Sequence, residues 1–316
     1  MTSETPLAGR KLLVTGATGF VGKAVLAAAL EEGWTVRAAI RSADAPLPPD
    51  VEGVAIGDLA APRDLTAAFD GIDAVIHLAG IAHRGAEIAE DRYQAVNAEG
   101  TRLLAKAAAA AGVVNFVFVS SIKVNGDRTT GAPFRPDDPP APSDAYARSK
   151  LAGERALAEE AGTMGWSVVR PPLVVGAGAG GNLLRLLSIV RKGIPLPLGS
   201  TGNRRSVIGL DNLVDLLLTL AAAPPRPEGR ILLCADDDPM STTEIIAATA
   251  AAAGIRPRLP PAPPALLRLA AGAIGRGEDA RRLLDDLVID DSATRALGWR
   301  PKLSTRESLR KMVQNS

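Results

Sequence analysis

The sequence predicts an α/β protein, a doubly wound parallel sheet with a smaller C-terminal region. Three observations carry this. From Lys11 onward, short apolar runs alternate with longer alanine-rich amphipathic stretches, and strands that recur between helices are joined by crossovers into parallel pairs. The first apolar run leads straight into a glycine-rich turn, "VTGATGFVG". After Arg170 the rhythm breaks and proline and glycine become frequent. This divides the chain into a first region over 10–170 and a smaller one over 171–316, with some chain crossing back.

Strands are expected at "KLLVT" (11–15), "TVRAAI" (35–40), "VEGVAI" (51–56), "DAVIHLA" (73–79), "NFVFVS" (115–120) and "SVVR" (167–170). Each is a short apolar-rich run. Helices fill the gaps at about 20–32, 62–69, 88–111 and 144–161. Strands connected this way by right-handed crossovers leave ligand sites at their carboxyl ends. Beyond Arg170, "RPPLVVGAGAGGN", "RKGIPLPLGSTGNRR", "AAAPPRPEGR" and "RPRLPPAPP" interrupt helices expected at 182–191, 211–221 and 241–253. There is no internal repeat, and the alanine richness is compositional.

Bulk composition narrows the function classes. At 316 residues, 47% apolar and 22% charged, the chain is globular rather than disordered. Lysine and arginine number 36 against 35 aspartates and glutamates. No basic field is therefore expected to hold nucleic acid or an anionic membrane surface, and an anion must be caught by a local site. The single cysteine, Cys234, excludes an intrachain disulfide and reads as a small buried apolar residue in a reducing compartment. "MTSETPLAGRK" lacks an apolar core of signal-peptide length, and no charge-free apolar run of about 18 residues occurs. The expected location is cytoplasmic, without membrane insertion. No metal-ligand spacing surrounds His77 or His83, and no metal is expected.

Gly16, Gly19 and Gly22 follow the first strand and open a helix. A backbone that turns sharply, approaches a pyrophosphate without a Cβ in the way and aims free helix N–H groups at its charge needs glycine there. The spacing is GxxGxxG rather than GxGxxG, so its position beside the first of several βα units, more than the motif, points to a dinucleotide and a Rossmann arrangement. After the second strand such folds place an acid for a free ribose 2′-hydroxyl or a cation for a 2′-phosphate. "TVRAAIRS" presents Arg37 and Arg41 there, which favours NADP(H) and leaves NAD(H) open.

"DAYARSK" sets Tyr146 and Lys150 four residues apart at the mouth of a helix, hence side by side on one face. An ammonium beside a phenol favours the phenolate, drawing a group of ordinary pKa near ~10 toward neutral pH. Such a tyrosine can give or take the proton of a hydroxyl or carbonyl oxygen. Upstream, "FVFVSSIKV" ends a strand with Ser120 and Ser121 at the same carboxyl edge. One of these hydroxyls can hydrogen-bond the oxygen that Tyr146 protonates. Taken alone, each motif also reads as a solvated Tyr–Lys pair or a serine cap.

Together with "GDL" at Asp58 and Leu59, "HLAG" at 77–80 and "VNAEGTRLLAKAA" from Val96, these motifs come in the order and spacing of the extended short-chain dehydrogenase/reductases, which the chain resembles over nearly its whole length. The resemblance implies that Tyr146 is the acid/base, that Lys150 also holds the nicotinamide ribose, and that Ser121 is the hydroxyl residue, "SSIKVNG" aligning with the family's "SSxxVYG". It further implies that Phe20 and Val21 present N–H groups to the pyrophosphate and Asp58 takes the adenine amine. Leu59, Leu78, Ala79, Gly80 and Pro171 would line the cofactor, and Asn97 would hold it from the following helix. The C-terminal half resembles the nucleotide-sugar branch: "GGNLLRLL" puts Asn182, and "GNRRSVIGLDNLVD" puts Arg204, at the diphosphate of a UDP-sugar, with Arg282 a further candidate and His83 beside the sugar. An arginine fork suits a diphosphate in a nearly neutral protein. A homodimer through the helices at about 88–111 and 144–161 is implied by the resemblance alone.

Departures from the family pattern separate the reactions. Dehydratases of this branch carry Asp-Glu after the hydroxyl residue, where this chain has Ile122 and Lys123; epimerases typically show the ribose-reading acid that is missing here. "SSIKVNG", "RPPLVVG", "NLLRLL" and "LPLGSTGNRRS" are together similar to bacterial 4-ketoreductases that complete UDP-N-acetyl-quinovosamine-type sugars. Asn125 replaces the tyrosine of "VYG", and Leu173 stands where some epimerases have a substrate-contacting asparagine. The expectation is reduction of the C4 ketone of a UDP-4-keto-6-deoxy-hexosamine. UDP-hexose 4-epimerisation on retained NAD is the second reading, and a non-catalytic NADP-binding sensor the third.

Overall fold

The computed structural model describes residues 9–61, 64–82, 88–179, 182–236 and 239–314. The strands are β1 (Lys11–Thr15), β2 (Thr35–Ile40), β3 (Val51–Ala55), β4 (Ala74–His77), β5 (Asn115–Val119), β6 (Gly165–Arg170), β7 (Leu173–Val175), β8 (Val207–Gly209) and β9 (Arg230–Leu233). Seven of them form one sheet in the order β3-β2-β1-β4-β5-β6-β9. The six expected strands are present with their ends within two residues. β9 is the addition: "RILL" is four residues long and follows "APPRPEG", and so short a run does not stand out from the surrounding loops.

β1 pairs in parallel with both β2 and β4, Leu13 lying opposite Arg37 on one side and Val75 on the other. The pairs β2–β3, β4–β5 and β5–β6 are also parallel. The chain leaves β1 in one direction toward β3 and in the other toward β6, so the topological switch lies at the carboxyl ends of β1 and β4. Leu12, Leu13, Val14, Ala74, Val75 and Ile76 are all fully buried, as central parallel strands covered on both faces must be.

The covering helices of this part are α1 (Phe20–Glu31), α2 (Thr66–Phe69), α3 (Glu90–Tyr93), α4 (Gly100–Ala110) and α5 (Ala145–Glu160). Leu104, Ala105 and Ala108 of α4 and Leu157 of α5 pack with Leu13, Val75, Phe116 and Phe118 in one core. The expected single helix over 88–111 is instead α3, a π-helical turn at Gln94–Glu99, and α4. Such turns recur at functional sites, and this one carries Asn97. Gly153 lets α5 come close: a Cβ there would lie 2.6 Å from the Asn97 carbonyl oxygen and 3.3 Å from Thr101 Oγ1.

Backbone contacts divide the chain into two compact units. One comprises the chain up to Asn125, Pro139–Arg170 and Val214–Leu232; the other comprises Gly126–Asp138, Pro171–Leu213 and Leu233 onward. The later helices are α6 (Asn182–Arg191), α7 (Leu210–Ala222), α8 (Thr242–Ala252), α9 (Pro264–Ala273), α10 (Gly277–Leu284), α11 (Ser292–Arg295) and α12 (Thr305–Gln314). In the second unit β7 and β8 pair in parallel. There the buried Asp236 carboxylate accepts hydrogen bonds from Gly209 N (2.8 Å), Asn212 Nδ2 (2.7 Å) and Ser308 Oγ (3.3 Å). Cys234 is fully buried, and burial pushes its thiol up, away from reactivity. Among the described residues no helix is long and apolar enough to cross a membrane, and no cluster of His, Cys, Asp and Glu could hold a metal ion.

His77, at the end of β4, is fully buried, with Nδ1 2.6 Å from Thr15 Oγ1 and Nε2 3.0 Å from Thr101 Oγ1. Its ring stacks on Phe118. Burial first, then the Lys150 ammonium, lower its pKa to about 3, so the ring is neutral. As pH falls below about 6.5 the unfolded chain binds a proton that the folded chain refuses. The contribution is therefore complete above that pH and is lost progressively as pH falls toward 3. Urea unfolding at about pH 7.5 and 5 should show a lower midpoint at the acid pH, and His77→Asn should flatten that dependence. Equal pH dependence in the two proteins would refute it.

Candidate active site

The turn after β1 accepts only glycine at its tightest points. Gly16 has φ +69°, and a Cβ there would lie 2.7 Å from Ala79 N and 2.8 Å from the Leu78 carbonyl carbon. A Cβ on Gly22 would meet Gly16 O at 2.2 Å. Gly19 is the extended N-cap of α1, with no side-chain cap and no acid in the first turn. The first-turn N–H groups of Phe20, Val21 and Gly22 thus lack intrahelical partners, as an anion cradle requires. Across the switch point, Thr15 Oγ1 accepts from Ala79 N at 3.1 Å and Leu78 N donates to Thr15 O at 3.2 Å. These bonds fix "LAG" beside the glycine turn.

The adenosine end requires a correction. Arg37 does not reach out for a phosphate: it is buried, and Nη1 donates to the carbonyls of Ala67 (3.1 Å), Ala68 (3.3 Å) and Asp70 (2.9 Å), while Nε lies 2.9 Å from Glu52 Oε2. It satisfies the orphan carbonyls at the end of α2, which a local reading of "TVRAAIRS" does not reveal. Arg41, just past β2, is exposed and close enough to help hold the Asp58 carboxyl below its usual range, behind the larger effects of the Ala60 N–H and Arg92. Asp58 accepts from Arg92 Nη2 at 2.5 Å. Leu59 packs where Gly100 leaves room for it.

Asn97 is fully buried and binds backbone. Its Oδ1 accepts from Ile81 N (2.7 Å), and Nδ2 donates to Ile81 O (3.1 Å) and Ser149 Oγ (3.0 Å). It ties the loop after β4 to α5 and so positions the wall formed by Ala79 and Gly80. A Cβ on Gly80 would lie 2.8 Å from Asn97 Oδ1 and 3.5 Å from Lys150 Nζ.

Asp144 caps α5 by accepting from Ala147 N at 2.7 Å and pairs with Lys123. Tyr146, in the first turn, is hydrogen-bonded to Ser121, whose Oγ also caps the turn after β5 by accepting from Lys123 N at 3.3 Å. The serine hydroxyl therefore caps this turn and also meets Tyr146. The expected electrostatics are reversed. Burial pushes the Tyr146 phenol up to about 12, opposed by the Ser121 hydrogen bond and reinforced by Asp144 and Tyr93. The Lys150 ammonium points instead at the Val119 carbonyl (2.9 Å) over the Phe118 ring (4.6 Å). Burial lowers its own pKa to about 8, with Glu154 opposing. Burial thus favours the neutral phenol over the phenolate at Tyr146.

Beneath this pair lies a network that motif reading missed. Arg170, 1% exposed, donates from Nε and Nη2 to the two oxygens of Glu154 at 2.9 and 2.6 Å, and from Nη1 to Asn125 Oδ1 at 2.9 Å. Ser120 Oγ donates to the same Glu154 at 2.5 Å. The polar group at Asn125, a departure from the family pattern, is the third acceptor of this arginine. The available signal was Glu154 at a further four residues beyond Lys150, on the face of α5 that carries Tyr146, and an arginine ending an apolar strand.

Apart from Ser121, the substrate candidates lie in the second unit or outside the described residues. Arg204 is exposed, its backbone held by Asp286 (N to Oδ1, 2.7 Å) and Leu287 (N to Arg204 O, 2.9 Å). Its neighbour Arg205 is half-buried and donates to Asp285 O at 3.0 Å. Asn182 opens α6, Pro171 is buried, and Arg282 lies 3.6 Å from Glu278. His83 falls outside the described residues.

A glycine-cradled helix terminus at the switch point, with a tyrosine, a serine and a lysine on adjacent elements, defines a dinucleotide-dependent enzyme of the short-chain dehydrogenase/reductase type. The chain belongs to the NAD dependent epimerase/dehydratase family, whose model matches residues 12–235. It is 35% identical over 321 residues to a UDP-glucose 4-epimerase of Vibrio cholerae, covering 96% of this chain and 95% of that one. Among solved structures it is similar to MoeE5 in complex with UDP-glucose and NAD (TM-score 0.77, 25% identity, 96% and 97% of the two chains). It is also similar to a Thermus thermophilus UDP-glucose 4-epimerase in complex with NAD (TM-score 0.75, 25% identity, 96% and 98%).

Glu154→Leu leaves the Arg170 guanidinium unpaired in the core and should lower stability by about 3–5 kcal/mol, whereas Glu154→Leu with Arg170→Met should cost far less. Urea unfolding of both variants measures this; equal or additive losses would contradict it.

Proposed function

We propose that this enzyme reduces the C4 ketone of a UDP-4-keto-6-deoxy-hexosamine with a reduced nicotinamide dinucleotide. The glycine cradle, which a Cβ would fill, and the uncapped α1 terminus fit the pyrophosphate. Bound reduced nicotinamide supplies the hydride that adds to the carbonyl carbon. As the carbon–oxygen π bond opens, the oxygen takes the Tyr146 proton while Ser121 Oγ donates a hydrogen bond to it. The step leaves Tyr146 as a phenolate, which takes a proton back from water; Lys150 would hold the nicotinamide ribose, and Arg204 with Asn182 would receive the diphosphate.

The observation that carries this reading is the hydrogen bond that joins Tyr146 to Ser121 in a site where burial disfavours the phenolate. A phenol pushed up to about 12 and hydrogen-bonded to Ser121 is ready to donate, and ketone reduction asks for donation first, whereas oxidising a C4 hydroxyl begins with proton removal. Dehydration is disfavoured because Lys123, engaged by Asp144, stands in place of the acidic pair. With Arg37 committed to α2, the preference for NADP(H) over NAD(H) rests on Arg41 alone. The homodimer would use the surfaces of the helical segments over 88–111 and 144–161.

The second reading, UDP-hexose 4-epimerisation on retained NAD, draws support from the withdrawal of Arg37 and from the 35% identical relative named as a UDP-glucose 4-epimerase. Mixing the enzyme with NADPH or NADH and a UDP-4-keto-6-deoxy-hexosamine should remove the reduced-nicotinamide absorbance in proportion to sugar consumed. Conversion of UDP-glucose to UDP-galactose with no net change in absorbance would favour the second reading instead. Tyr146→Phe should lower turnover by about 10²–10⁴-fold with cofactor affinity retained; undiminished turnover would remove Tyr146 as the acid. Arg41→Ala should weaken NADPH binding by about tenfold and leave NADH binding unchanged, as fluorescence titration would measure.

A further inference from the structure

The second unit carries a face that the proposed reaction does not use. No Asp or Glu occurs from Pro171 to Leu210, where Arg185, Arg191 and Lys192 are the cations apart from Arg204 and Arg205, or from Ile245 to Gly277, which holds four cations. The fold brings the two stretches together: Leu196 N donates to Arg258 O at 2.9 Å and Gly199 N to Pro260 O at 3.1 Å. Leu186 and Ile189 of α6 and Leu267 and Ala271 of α9 line one apolar cavity of about 300 Å³.

Over that cavity α9 buries none of its residues. Leu266 and Leu269 on it, and Ile274 at its end, are 60%, 72% and 71% exposed. It packs through the half-buried Leu267 and Ala271 against a core that includes Val190, Leu198 and Ile246, and turns its other apolar residues outward. Around it Arg256, Arg258, Arg268 and Arg276 are exposed, as are Arg185, Arg191 and Lys192 of α6 and its end. The bordering acids come from α10 and the residue after it: Asp285 pairs with Arg268 (2.9 Å), Asp279 with Arg276 (3.2 Å) and Glu278 with Arg282 (3.6 Å). They offset part of the positive charge and leave the face cationic.

We propose that α9 docks the second unit on an anionic lipid bilayer. Leu266, Leu269 and Ile274 enter the boundary between headgroups and acyl chains, and the surrounding guanidinium and ammonium groups meet lipid phosphates. A second copy of the chain is the less suitable occupant, because a two-fold contact through this face would set the same cations against one another. The whole-chain balance of 36 cations and 35 anions conceals the feature. A peripheral contact of this kind runs against the expectation, drawn from that balance, that no anionic membrane surface is held.

Sedimentation of the full chain with vesicles tests it. Phosphatidylcholine vesicles containing about a third phosphatidylglycerol should carry the protein down, pure phosphatidylcholine should not, and about 0.5 M salt should release it. Leu266→Glu with Leu269→Glu should lower the bound fraction about tenfold or more, with turnover of a soluble sugar nucleotide unchanged. Arg256→Ser with Arg258→Ser should weaken binding without touching the apolar face. Three results would overturn the proposal: no binding to anionic vesicles, binding indifferent to both double variants, or a lipid-free sedimentation coefficient that falls in the leucine variant, which would give the face to a second copy.

Discussion

A buried ion pair holds the candidate site in register. Arg170 ends β6, Glu154 lies two turns along α5 from Tyr146, and their side chains are 1% and 4% exposed. Through Ser120 and Asn125 the same two charges reach both sides of the turn that presents Ser121. Tyr146 and Ser121 come from different elements, and the distance between their hydroxyls depends on how α5 sits against the turn after β5. Removing charge from water is costly unless every oxygen and N–H finds a partner. Here both Glu154 oxygens are engaged, and Arg170 also reaches Asn125. The pair therefore specifies geometry more than it adds stability.

The same burial sets the chemistry. Lys150 is desolvated and turned to a backbone carbonyl, with its pKa lowered to about 8, and Tyr146 is raised to about 12. Sequence spacing alone suggests the opposite, because adjacency on a helix face says nothing about where a flexible ammonium points. Desolvation acts on both groups in the direction that disfavours charge. The outcome is a neutral phenol next to a serine hydroxyl, an arrangement suited to protonating an oxyanion as it forms.

Much of the fold is legible in the sequence because its signals are local. Six parallel strands declare themselves as apolar runs, and Gly16 and Gly22 mark contacts where backbone meets backbone. What is not legible depends on partners far along the chain. Arg37 looks like a ligand for phosphate until α2 is seen to end beside it, some thirty residues on. The break of the 88–111 segment into α3, a π turn and α4 follows from Asn97 binding Ile81 and Ser149 across space. Glu154 and Arg170 are invisible as a pair until α5 and β6 are adjacent. The exposed α9 shows a related limit: a count over the whole chain averages away charges that the fold gathers on one face.

The most direct test uses the small number of tyrosines. The chain has two, Tyr93 and Tyr146, so the ultraviolet absorbance of tyrosinate, titrated in the cofactor-free protein and in Tyr146→Phe, isolates the ionisation of Tyr146 by difference. Burial and the site's geometry predict that this phenol ionises well above its ordinary value of about 10. A difference curve centred near neutral pH would show a phenolate stabilised by Lys150 and would contradict the account of Tyr146 as the proton donor.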